Sequence, residues 1–122
     1  MYINNYIFDS MNANPFLKGS LQTIILKLLE DNTEMYGYEI TQKVKEVSGG
    51  DVLLTEGALY PALHKLEADG FLETFTQVVD NRVRKYYRLT DAGGKQVSNK
   101  LNEAQAFIEQ LQNLLNLKPA VK

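Results

Sequence analysis

From Val97 to Leu115, apolar side chains return at intervals of 4, 3, 4, 3 and 4 residues: Val97, Leu101, Ala104, Ile108, Leu111 and Leu115. This is a heptad seam along one face of a long helix, and such a seam needs a partner surface. Thr90 stands where a cap for that helix belongs, and Phe107 and Leu114 make the face broader than a two-stranded zipper requires. A chain of 122 residues holds one domain, too small to cover so long a stripe from within. The seam therefore predicts a homodimer built by a helix over 91–117, followed by a tail at 118–122 that frays.

Upstream, Ser20 precedes Leu21, Ile24, Ile25, Leu28 and Leu29, the spacing of one buried helical stripe, and is expected to cap it. Asp31-Asn32-Thr33 ends that helix. A second carries Ile40, Val44 and Val47 and stops at Gly49-Gly50. Val52-Leu53-Leu54 suits a small strand. Thr55 then caps a third helix with Leu59, Ala62, Leu63 and Leu66 inside, Gly57, Pro61, His64, Lys65 and Ala68 outside, and Tyr60 on the flank. Pro61 conflicts with a helix interior, so either the helix starts late, near Tyr60, or its first turn is irregular.

From Leu72 the residues become β-formers on both sides of Asp80-Asn81, a dipeptide that tolerates the left-handed backbone of a two-residue hairpin turn. In that register Val79 faces Arg82, Val78 faces Val83 and Gln77 faces Arg84. Arg82, Arg84, Tyr86 and Arg88 then share one face, while Val83, Tyr87 and Leu89 point inward.

Composition narrows the function. The chain has no cysteine and one histidine, which excludes thiolate sites and leaves no basis for a metal or other cofactor. No nucleophile-base-acid set and no phosphate-binding glycine loop appears, so an enzyme is not expected. Met1 to Phe8 lacks the basic flank and cleavage site of a signal peptide, and no apolar run is long enough to span a bilayer; a cytoplasmic protein with no membrane partner is expected. The net charge is −2, so binding to nucleic acid has to rest on local charge. Arg82, Arg84, Lys85 and Arg88 supply it within seven residues that hold no acid.

Helix, helix, short strand, helix, hairpin and helix give a mainly α fold with a small β-hairpin: a winged helix-turn-helix with a long C-terminal dimerisation helix. Four stretches then carry a closer likeness. Lys18-Gly19-Ser20-Leu21, Tyr36-Gly37-Tyr38-Glu39-Ile40, Gly57-Ala58-Leu59-Tyr60-Pro61-Ala62-Leu63 with Leu66-Glu67 and Gly70, and Arg84-Lys85-Tyr86-Tyr87-Arg88-Leu89-Thr90 before Gly93 resemble the PadR family of bacterial transcriptional regulators. The likeness runs from about Phe16 to Leu115 and fits the smaller branch, with a single C-terminal helix. It implies a proline at position 61 within the recognition helix, a homodimer, an operator in double-stranded DNA, and repression relieved by a small effector. The absence of tryptophan removes the stacked-tryptophan drug site of some relatives.

On this basis residues 1–15 form an N-terminal arm, 16–90 the DNA-binding unit, 91–117 the dimerisation helix and 118–122 the tail. Within the arm, Tyr2, Ile3, Tyr6, Ile7 and Phe8 are candidates to pack on the dimer. Tyr2, Tyr6, Tyr36 and Tyr38 are candidates to line an aromatic effector cavity, although core packing suits most of them better. Candidate DNA contacts are Lys18, Thr55, Tyr60, His64, Lys65, Arg82, Arg84 and Lys85. Each has a plainer alternative: a solvated histidine or lysine, a half-buried tyrosine, an edge hairpin kept soluble by charge. The alternative function is a winged-helix module that binds proteins and no DNA.

Overall fold

A computed structural model describes residues 15–118. Helix α1 spans Pro15–Asn32, β1 Glu34–Tyr36, α2 Gly37–Val47, α3 Glu56–Ala68, β2 Leu72–Val79, β3 Arg82–Leu89 and α4 Asp91–Leu115. The order corrects the sequence reading in one place. No strand forms over Val52-Leu53-Leu54; the third strand is Glu34–Tyr36. Thr33, at φ 64°, turns the chain out of α1, and Met35 enters the core while its neighbours face outward. That segment reaches the free edge of β3, whereas the stretch at 52–54 has no partner strand and delivers Leu54 to the core with Val52 packed against it.

Ser20 likewise does not cap α1. The helix begins at Pro15, since proline suits a first turn whose amides have no partner, and Leu17 extends the apolar stripe toward it. Thr55 and Thr90 do cap, accepting amide hydrogens from Ala58 at 3.3 Å and Gly93 at 3.0 Å. Helix α3 starts at Glu56 with Pro61 in its interior, so neither proposed resolution of the proline conflict applies. Pro61 is exposed and so is Gly57, one turn earlier, whose carbonyl loses a helical partner where water reaches it.

The sheet order is β1-β3-β2, all antiparallel, with Val79 opposite Arg82 and Val78 opposite Val83 as expected. Asp80 and Asn81 have φ of 53° and 63°, the paired left-handed conformation of a tight hairpin turn. One expectation fails at the tip. Tyr87 is buried and Leu89 partly so, but Val83 is 71% exposed, because the hairpin outruns the core beneath its base. Ile25, Leu29, Ile40, Leu59, Leu63 and Tyr87 are among the side chains that close the core, each contributing roughly 1.5–3 kcal/mol relative to exposure.

The start of α4 is tied to the base of the wing. The Thr90 hydroxyl donates to the Gly70 carbonyl at 2.6 Å and the Thr90 amide to the Phe71 carbonyl at 3.0 Å. Gly93 lies so close to that same carbonyl of Phe71 that any side chain at 93 would collide with it. At the far end Asn116, at φ 56°, closes the helix, and residues 119–122 of the expected tail lie outside the described residues.

Candidate nucleic-acid interface

Helix α3 is fixed from one side. Leu59 and Leu63 are wholly buried and Leu66 nearly so, while Gly57, Pro61, His64, Lys65 and Ala68 form an exposed outer row. His64 is solvated, and Lys65 pairs with Asp69 one turn on at 3.0 Å, an exposed contact of small energetic weight. Thr55 is engaged as the cap. Tyr60 is half-buried, its ring centroid 6.5 Å from that of His64 and its hydroxyl end set against Gly37 at the start of α2. Lys18 is exposed in the first turn of α1.

The wing distributes its four cations over two faces. Tyr87 packs toward α3: burial pushes its phenol above the ordinary tyrosine value, and the neighbouring Tyr60 and Glu67 of α3 add to the shift. Lys85 lies on this face, its ammonium exposed and 5.5 Å from the Tyr87 ring centroid. On the reverse face Tyr36, Tyr86 and Phe75 form a row across the three strands, with centroids 5.4 Å apart at each step. Arg84 is half-buried over the Tyr36 ring at 4.4 Å, and Arg88 stacks on Phe75 at 4.8 Å while pairing with Glu73 at 2.7 Å. Arg82 is exposed at the tip. This aromatic row was not read from the sequence, although Tyr36 and Phe75 follow the same alternation that singled out Tyr86.

Along α4 burial fades. Val97 is in the core, Ala104 and Leu111 are half-buried, and Leu101, Ile108 and Leu115 are exposed, as are the flanking Phe107 and Leu114. A groove of about 320 Å³ lies between Gly19, Ser20 and Thr23 of α1 and Lys100, Ala104 and Phe107 of α4. Tyr36 and Tyr38 border an open depression of about 550 Å³ whose other walls include Glu34, Glu39 and Glu46, a polar setting rather than an aromatic cavity; Tyr2 and Tyr6 lie outside the described residues, as does the rest of residues 1–14. Among the described residues no three His, Cys, Asp or Glu side chains converge to hold a metal, and no helix is long and apolar enough to cross a membrane.

The model of the transcriptional regulator PadR-like family matches residues 25–99. The chain belongs to this family. The PadR-like match spans α1 to the first turns of α4, covering both halves of the candidate interface. The chain is 42% identical over 78 residues to the transcriptional regulator Rv3488 of Mycobacterium tuberculosis, covering 64% of this chain and 69% of that one. It is 32% identical over 99 residues to the negative transcriptional regulator PadR of Bacillus subtilis, covering 80% of this chain and 54% of the relative. A transcriptional regulator from Clostridium thermocellum superposes with a TM-score of 0.75 at 28% identity, covering 82% of this chain and 94% of that one. The protein is a PadR-family transcriptional regulator with a winged-helix fold and a long C-terminal helix.

Proposed function

We propose that the chain is a cytoplasmic, homodimeric repressor that binds an operator in double-stranded DNA through α3 and the wing, and that a small effector relieves it. The divided burial of α3 carries this reading. Leu59, Leu63 and Leu66 anchor the helix while Gly57, Pro61, His64 and Lys65 stand clear on its outer face, beside a wing that exposes Arg82 and Lys85. A helix held from behind and bare in front has the form needed to enter the major groove. Lys65 and His64 are the candidates for base edges, whereas Lys18, Arg82, Lys85 and the start of α3 at Thr55 suit phosphates. Repression as the sign of control follows the printed name of the Bacillus relative.

The dimer rests on the exposed half of the α4 seam, and it supplies a second α3 for the other half-site. Net charge −2 favours the second reading, a winged-helix module for protein partners, because counterion release scales with the cations a protein brings to DNA. A gel shift over a salt series, using the promoter of the protein's own gene, separates the two. Steep loss of binding with salt supports the repressor, and no shift even at low salt favours the module.

A further inference from the structure

We propose that Gly37 and Tyr60 form a paired stop that sets the angle of α3 against α2, so that Tyr60 positions the reading helix instead of touching DNA. The inference rests on the reading above, in which α3 faces DNA. Gly37 is buried at the first position of α2 and does not have the left-handed backbone that would call for glycine. Space calls for it. A side chain at 37 would collide with the Tyr60 hydroxyl, and the next nearest atoms, the ring Cζ at 3.0 Å and Cε1 at 3.3 Å, also belong to Tyr60. Gly93 is the other crowded glycine, and its neighbour is the Phe71 backbone; Gly57 has only an ordinary contact with Thr55, and Gly19, Gly49, Gly50, Gly70 and Gly94 have nothing within 4 Å, so Gly37 is the one glycine crowded by a side chain.

The surroundings make the contact decisive for geometry. Beside it, a cavity of about 240 Å³ opens between α2 and α3, lined by Gly37, Thr41, Leu54, Leu59 and Tyr60 among others. Packing across this part of the interface is incomplete, and the phenol end against Gly37 is what limits how closely the two helices approach there. Among the described residues the Tyr60 hydroxyl makes no hydrogen bond that would assign it another structural task. The contact also joins two stretches that the sequence presents separately, Tyr36-Gly37-Tyr38 and Leu59-Tyr60-Pro61.

A stop and a reader respond differently to substitution. Tilting α3 removes contacts to base edges and leaves the wing's phosphate contacts in place, whereas loss of a phosphate contact weakens all DNA alike. The test uses the full chain as wild type, Gly37→Ala, Tyr60→Phe and the double variant, each measured against operator and random DNA and by thermal unfolding. Gly37→Ala is expected to weaken operator binding about tenfold, the scale of one good base contact, with random DNA changed by less than about twofold. Tyr60→Phe alone leaves both within about twofold, because the ring edge still rests against Gly37, and in the Gly37→Ala background it restores part of the loss, the ring Cζ at 3.0 Å remaining. Equal weakening of operator and random DNA by Tyr60→Phe, with no restoration, would make the hydroxyl a phosphate contact and overturn the proposal. If Gly37→Ala does not fold, a folded double variant, or a folded Gly37→Ala variant carrying Tyr60→Leu in place of the ring, supports the stop, and failure of both to fold overturns it. If the wild type binds no DNA, the function reading fails by itself; the pair is then judged from unfolding, where additive effects of the two substitutions overturn it.

Discussion

Helices α3 and α4 both carry an apolar stripe, yet the chain treats the two stripes in opposite ways. In α3 the stripe is covered by α1, α2 and the sheet, and Leu59 and Leu63 lose all contact with solvent. In α4 only Val97 is covered so completely, and by Leu115 the same face is 59% exposed. The contrast shows that a helical period reports that a face seeks cover and says nothing about which molecule provides it. Length decides that: 13 residues of α3 fit across one small core, and 25 residues of α4 outrun it.

The largest expected effect comes from turning the α4 face against its proposed use. Leu111→Glu places a charge where two copies of the seam would meet, and an unpaired buried charge is costly. The dimer should be lost, giving a monomer or an aggregate in sedimentation, and operator affinity should fall because two half-sites no longer bind as one unit. A wild type that sediments as a monomer at micromolar concentration removes the comparison altogether, since α4 would then be an exposed apolar helix with no partner.

Next in size is the internal side. Leu63→Ala should lower stability by about 2–5 kcal/mol in chemical unfolding, the usual cost of a large-to-small change in a core. Leu115→Ala should matter only through association: the wild-type unfolding midpoint should rise with protein concentration, and this variant should flatten that rise. A midpoint independent of concentration in both would mean that α4 contributes no association energy.

Much of this was legible in the sequence, for reasons that differ by element. The hairpin register followed from Asp80-Asn81, because a two-residue turn fixes which residues face each other. The stripes of α3 and α4 followed from spacing, and the Thr55 and Thr90 caps from side-chain chemistry. What failed involved partners distant in the chain, or, for Ser20, a helix start that proline set upstream. Glu34–Tyr36 becomes a strand because the β3 edge is available, Ser20 is absorbed into a helix that starts earlier, and Val83 stays outside because the core ends below it. Which face of the wing each cation takes followed from alternation, whereas the stacking of Arg84 and Arg88 on the aromatic row of Tyr36, Tyr86 and Phe75 depended on strands brought together from distant parts of the chain.

That allocation gives the third test, a smaller one. The sequence offers Arg84 and Lys85 alike as DNA contacts, but the Arg84 guanidinium is stacked on Tyr36, on the face away from α3, while Lys85 stands on the near face. Lys85→Ala should flatten the salt dependence of DNA binding by about one unit, the signature of one lost phosphate contact, for operator and random DNA alike. Arg84→Ala should leave that slope unchanged and act through lost packing on Tyr36. The reverse pattern would put DNA against the aromatic face and return Arg84 to the role that the sequence suggests.

The smallest effect probes whether the packing of the wing onto α3 is itself a source of stability. Tyr87 has a folded pKa raised above the ordinary 10.0, mainly by burial and further by Tyr60 and Glu67. The neutral phenol is therefore the form that the fold favours. Below pH 10 both folded and unfolded chains hold the proton, so the contribution is fully present; as pH rises the unfolded chain ionises first, and stability falls until the folded value is passed. Other charges on the chain also change in alkali, which makes the wild type alone uninformative. Comparing its unfolding midpoint between about pH 8 and 11 with that of Tyr87→Phe isolates the phenol, and the variant should show the shallower alkaline decline. Parallel curves would mean that Tyr87 ionises as readily in the folded protein as in the unfolded chain, and that the base of the wing is less firmly seated on α3 than Leu59 and Leu63 are in the core beneath it.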